Sequence, residues 1–123
     1  MSGEMINVDA PVDTVRELLV ELQPRRVHVV RWGWEMTFGD FRFALVSDAT
    51  PDDGTDVSIQ DRSRSNTHLS WEVYDHLCRR TDASVWLMDD GGRIAAARWG
   101  PGQTEGPAVE ESPLTRSGYP PGH

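Results

Sequence analysis

The chain contains no lysine, a single cysteine and no apolar run of membrane-spanning length, and each absence removes a class of function. Without lysine there is no Schiff-base chemistry, no P-loop and no lysine general base. All twelve basic residues are arginine, the pattern of a GC-rich coding bias, which points to a high-GC bacterium. Cys78 alone cannot form an intramolecular disulfide, and no paired-cysteine or Cys/His zinc pattern accompanies it. With neither staple in use, a reducing cytoplasm is the expected compartment. The first nine residues lack the basic and apolar regions of a signal peptide, and no stretch reaches 18 continuous apolar residues. There is also no G-x-S-x-G elbow, G-x-G-x-x-G turn, P-loop or H-E-x-x-H helix. The expectation is therefore a protein without catalytic residues, cofactor or metal.

What is present is a chain of 123 residues, 37% hydrophobic and 26% charged, the size and composition of one globular domain with a modest core. Its formal net charge of −8 argues against nucleic acid or an anionic membrane as partner and favours a basic protein. Five tryptophans, at positions 32, 34, 71, 86 and 99, supply large rings for a core or an interface.

Asp9 followed by Pro11 reads as a helix start. Val12, Val15, Leu18, Leu19 and Leu22 then form an apolar stripe, Asp13, Glu17 and Glu21 an acidic ridge, and Pro24 the end. Residues 27–35 read as one strand, with Val30, Trp32, Trp34 and Met36 on one parity and Val27 and Val29 on the other. A turn at Phe38, Gly39 and Asp40 hands over to Phe41, Phe43 and Leu45. A third short strand falls at Val57 and Ile59, after the aspartate-rich stretch 48–56. Thr67 is the expected cap of a second helix reaching Arg80. Leu69, Val73, Tyr74, Leu77 and Cys78 form its inner face, and His68, Glu72, Asp75, His76 and Arg79 its outer one. Residues 84–88 and 93–98 make a hairpin around Asp89-Asp90-Gly91-Gly92.

The expected fold is thus α+β in the order α-β-β-β-α-β-β, a five-stranded and mostly antiparallel sheet with two helices on one face. The domain spans 1–99. A disordered tail spans 100–123, where five glycines and five prolines fall among 24 residues. The uncovered sheet face and the apolar residues on both parities of residues 27–36 are the sequence's hint of an interface.

Three clusters invite chemistry, and each has a plainer reading. His68, Glu72 and His76 share a helix face, but positions eight apart lie roughly 12 Å along the axis, too far for one metal ion. Cys78 sits on the apolar stripe, as a buried hydrophobe does. Arg62 and Arg64, just before a helix N-terminus, are the best candidates for an anion site.

The leading expectation is a non-catalytic, acidic protein-binding module. Trp32 and Trp34, with the ridge Asp13, Glu17 and Glu21, are its partner-binding residues. Two biological versions follow: an immunity or antitoxin-type inhibitor of a basic protein, and a small homodimeric chaperone, since the element order is similar to that of secretion chaperones. The alternative is a small-molecule or anion-binding domain with an arginine-lined site at Arg62 and Arg64.

Overall fold

The structure is a computed structural model, and it describes residues 3–49, 54–63, 65–98 and 109–120. Seven strands and two helices follow one another as β1 (Glu4–Val8), α1 (Val12–Val20), β2 (Arg26–Val30), β3 (Gly33–Gly39), β4 (Arg42–Ala49), β5 (Gly54–Asp61), α2 (Leu69–Arg80), β6 (Val85–Met88) and β7 (Ile94–Arg98). The strands form one antiparallel sheet in the order β2-β3-β4-β5-β1-β6-β7. The chain is α+β as expected, but its sheet has seven strands rather than five, for two separate reasons.

The first is β1, which the sequence reading passed over. Glu4, Ile6 and Val8 alternate inward along it, and the strand lies between β5 and β6, so it joins the two halves of the sheet. The second is a chain reversal at Arg31 and Trp32, which splits the expected single strand of 27–35 into the hairpin β2–β3. Gly33 permits it, because a Cβ there would fall 1.8 Å from the carbonyl oxygen of Val46 on the next strand. The reversal also places Val27 opposite Met36 and Val29 opposite Trp34. Val27, Val29, Trp34 and Met36 therefore lie together on one face, with Val30 on the other, and the two-parity hint of an interface is withdrawn.

The core lies between the sheet and the helices. Ile6, Val8, Ala44, Val46, Val57, Ile59, Val85 and Leu87 point from the sheet to the same side. They meet Val15 and Leu19 of α1 and Leu69, Val73 and Leu77 of α2, all buried. The inward residues alternate with Met5, Asn7, Ser58, Phe43, Leu45, Trp86 and Met88, which line the other face; no helix among the described residues covers it. The helices are clamped together where Arg80 grips Glu21 with two hydrogen bonds of 2.9 and 3.1 Å. Beside them His76 Nε2 lies 2.9 Å from the carbonyl of Leu18 and 3.0 Å from Glu21. No helix among the described residues is long and apolar enough to cross a membrane.

The C-terminal region differs from the expected tail. Residues 99–108 and 121–123 lie outside the described set, but residues 109–120 pack on the domain: Leu114 is 3% exposed and joins the core. The Ser112 hydroxyl donates to Asp89 at 2.6 Å, the amide of His68 donates to the carbonyl of Arg116 at 2.6 Å, and the amide of Asp90 donates to the Tyr119 hydroxyl at 2.7 Å. The glycines and prolines of this region masked the one leucine that anchors it. Leu114→Ala should therefore cost about 2–5 kcal/mol by urea denaturation, and removing residues 101–123 should lower the melting temperature by many degrees. A truncated chain that melts with the full-length protein would contradict this packing.

Candidate functional site

The most concentrated chemistry is a buried polar junction where β1, the end of β5 and the start of α2 meet. Glu4 Oε1 lies 2.5 Å from His68 Nε2 and accepts the Ser70 hydroxyl at 2.8 Å. His68 Nδ1 lies 3.7 Å from Asp61. Asp61 accepts the Leu69 amide at 2.8 Å, the Ser63 amide at 2.9 Å, the Ser63 hydroxyl at 2.6 Å and Arg42 Nε at 3.2 Å. Arg42 in turn pairs with Glu72. Asp61 thus caps α2 from a distance. Thr67, the expected cap, gives way to His68 at the cap position, which makes no side-chain capping bond.

A serine, a histidine and carboxylates together invite comparison with a nucleophilic triad, and the geometry answers it. Activating a serine requires an imidazole nitrogen facing its oxygen. Here both Ser70 and His68 face the same carboxylate, and Ser70 is 0% exposed. The arrangement satisfies buried polar groups and fixes β1 to α2. His68 was expected on the outer face of α2 but is buried, because β1 brings Glu4 beneath it. His68, Glu72 and His76 do not converge, as each has its own partner, and the described residues contain no cluster suited to a metal ion. Cys78 packs beside Tyr74, and burial pushes its thiol pKa up, against the direction a nucleophile needs.

Two carboxylates are held in the ionised form. Burial pushes the Asp61 carboxyl upward, but the Ser63 hydroxyl and the amides of Leu69 and Ser63 outweigh it and hold the group below its ordinary value. Asp89 is held low in the same way. Burial raises it; the Ser112 hydroxyl, the amides of Arg93 and Gly91 and the Arg93 guanidinium overcome that. It ties the β6–β7 turn to the C-terminal segment.

The sequence-predicted binding residues scatter. On α1, Asp13 and Glu17 are exposed, but Glu21 is occupied by Arg80 and His76, so the acidic ridge is shorter than expected. Trp34 is half-buried under the guanidinium of Arg16, which sits 5.1 Å from the ring centre. Trp32 is 62% exposed at the tip of the β2–β3 hairpin. Arg62 is exposed at the rim of a shallow hollow it shares with Phe41, Phe43 and Gln60, while Arg64 lies outside the described residues, so the expected pair cannot be placed as a pair.

The feature missing from the sequence reading is the uncovered edge itself. Val29 is 74% exposed and Val27 is also exposed on β2, because α1 does not reach over that strand. A groove of about 490 Å³ runs beside it, lined by Val12, Val29, Trp32, Trp34, Arg31 and Asp48 among others. The hairpin's two-residue turn makes Val30 and Gly33 a hydrogen-bonded pair, and strict alternation then turns the backbone groups of Val27 and Val29 outward. The opposite edge is treated differently: along β7, Glu110 donates its amide to Ile94 at 2.7 Å and accepts the Ile94 amide at 3.0 Å through its side chain. At the far corner Phe41 is 64% exposed and holds a positive φ of 62°, a conformation strained for an aromatic residue.

Fold and site define an antiparallel α+β domain in which, among the described residues, one sheet edge is met by Glu110 at Ile94 and the other is bare. Comparison of the chain with protein-family models, with curated proteins and with solved structures gives no match.

The ionised carboxylates set a pH dependence. A carboxyl whose folded pKa is depressed contributes stability that is present above its ordinary value of 3.8 and is lost as pH falls. Asp89→Asn should therefore lower stability at neutral pH by about 1–3 kcal/mol and make its decline below pH 3.8 shallower than in the parent. An unchanged acid slope in denaturation series would show that Asp89 is not a source of it.

Proposed function

We propose that this chain is a non-catalytic protein-binding module whose docking surface is the β2–β3 edge. The observation that carries the reading is the joint exposure of Val29, on a strand that neither helix covers, and of Trp32 at the hairpin tip beside it. Monomeric proteins seldom leave apolar side chains in a row on an open sheet edge, since such an edge invites pairing. Aromatic side chains are also the commonest anchors of protein interfaces.

This shifts the emphasis within the expected binding set. Trp32 stays at its centre, Trp34 forms the floor of the neighbouring groove, and the acidic ridge of α1 becomes peripheral, since Glu21 is already paired. The local charge speaks against a homodimeric chaperone and revises the expected basic partner: the immunity or antitoxin-type reading is kept for a partner that offers an acidic segment to this edge. Arg25, Arg26 and Arg31 crowd the edge, and a second copy of β2 would meet them with its own cations.

The test uses the tagged chain in its source cells, with Trp32→Ser and Val29→Ser as variants. Both side chains are exposed, so each variant should melt within a few degrees of the parent. The parent should recover one partner in stoichiometric amount, and the variants should lose it. Equal recovery by parent and variants would remove the edge from the interface. A partnerless chain whose melting temperature rises only with phosphate-bearing ligands would favour the anion-binding alternative at Arg62.

A further inference from the structure

The geometry points to strand addition: we infer that β2 receives an extended, acidic segment of the partner as an eighth strand. The inference rests on the protein-binding reading and names the chemistry of what binds.

β2 pairs with β3 on one side only, and the outward groups of Val27 and Val29 form a free row of donors and acceptors among the described residues. An added strand would satisfy them with main-chain bonds, the usual source of affinity in this mode. On the β7 edge, by contrast, Glu110 occupies both backbone groups of Ile94 with its amide and its carboxylate.

The side chains then specify the occupant. Val27 and Val29 share the helix side of the sheet with Met36 and Trp34, beside the groove reaching Val12 and Trp32. Arg26 and His28 share the opposite side with Thr37 and Glu35. A strand laid antiparallel or parallel along β2 presents alternate residues to these two sides. Its residues on the helix side must be apolar to cover the valines, and those on the other side must be acidic to meet Arg26 and His28.

Charge makes the choice of sign clear. No acidic residue occurs from Pro24 to Trp34, whereas Arg25, Arg26 and Arg31 do, in a chain with a net charge of −8. The acids close by are Glu35, beside His28, Asp48 in the groove, and Asp40, which faces Arg25 at 3.5 Å. The outermost strand is therefore cationic on a protein that is otherwise anionic, and it selects a segment of opposite sign.

The probes are two eight-residue peptides, one alternating valine with glutamate and one alternating valine with lysine, titrated into the full chain and followed by amide chemical shifts. The glutamate peptide should bind about ten-fold more tightly than the lysine peptide, with shifts confined to β2, β3 and the groove. Arg26→Glu should reverse the preference while leaving the melting temperature unchanged. A glutamate peptide N-methylated at the amides that face β2 should not bind. Equal affinity for the two peptides, shifts elsewhere on the surface, or no binding of either would overturn the inference. So would a concentration-dependent dimer whose formation slows exchange of the Val27 and Val29 amides, which would show β2 pairing with itself. If the peptides fail while the cellular partner is still lost with Trp32→Ser, the module reading survives and only strand addition falls; if both fail, neither stands.

Discussion

Two helices cannot cover seven strands, and most of what is distinctive about this molecule follows from that shortfall. Strands spaced about 4.8 Å apart make a sheet roughly 29 Å wide from first to last, whereas two helices side by side span about 20 Å. The helices sit over the middle, with α1 against β4 and β5 and α2 against β5, β1 and β6. Both margins lie beyond their reach. At β7, the buried Arg98 reaches back to the carbonyls of Cys78 and Ala83 at 2.7 and 2.6 Å and also binds Thr81, while Glu110 takes up the backbone of Ile94. At β2 no such device is present among the described residues, and the valines stand in solvent.

The polar junction around Glu4 explains why the helices settle over the middle. It pins α2 by its first turn to the central strand β1, with Asp61 of β5 serving the helix N-terminus and Arg42 of β4 joining Asp61 to Glu72. Apolar packing alone is compatible with several lateral positions of a helix on a sheet; buried hydrogen bonds are met in only one. The clamp of Glu21 with Arg80 and His76 then sets α1 relative to α2. Fixing the helices in this way determines which strand is left bare.

Much of this was legible in the residues. The apolar stripes of both helices and the β6–β7 hairpin follow from spacing and turn residues, because local periodicity reports burial directly. Along β4 it misleads: the expected stripe residues Phe43 and Leu45 face away from the helices, and the core takes Ala44 and Val46. The misses have physical causes too. β1 is five residues long and begins with a buried glutamate, and a charge at an inward position defeats an alternation rule until its partners His68 and Ser70 are known. The Arg31–Trp32 reversal uses neither of the turn residues that mark such sites, and only Gly33 betrays it. Leu114 anchors a segment whose composition is that of a linker. The exposure of β2 was out of reach for a deeper reason: whether a valine is covered depends on where a helix lies, which its own neighbours in sequence do not encode. The local absence of acids from Pro24 to Trp34 was visible in advance and gains meaning only once that segment is known to be an edge.

The bareness of β2 is the claim on which the functional account stands, and amide hydrogen exchange of the isolated protein measures it directly. The amides of Val27 and Val29 should exchange nearly as fast as an unstructured chain, while the Ile94 amide on the opposite edge, bonded to Glu110, is protected. Comparable protection at both edges would mean that β2 is already covered in solution, and the account would be wrong.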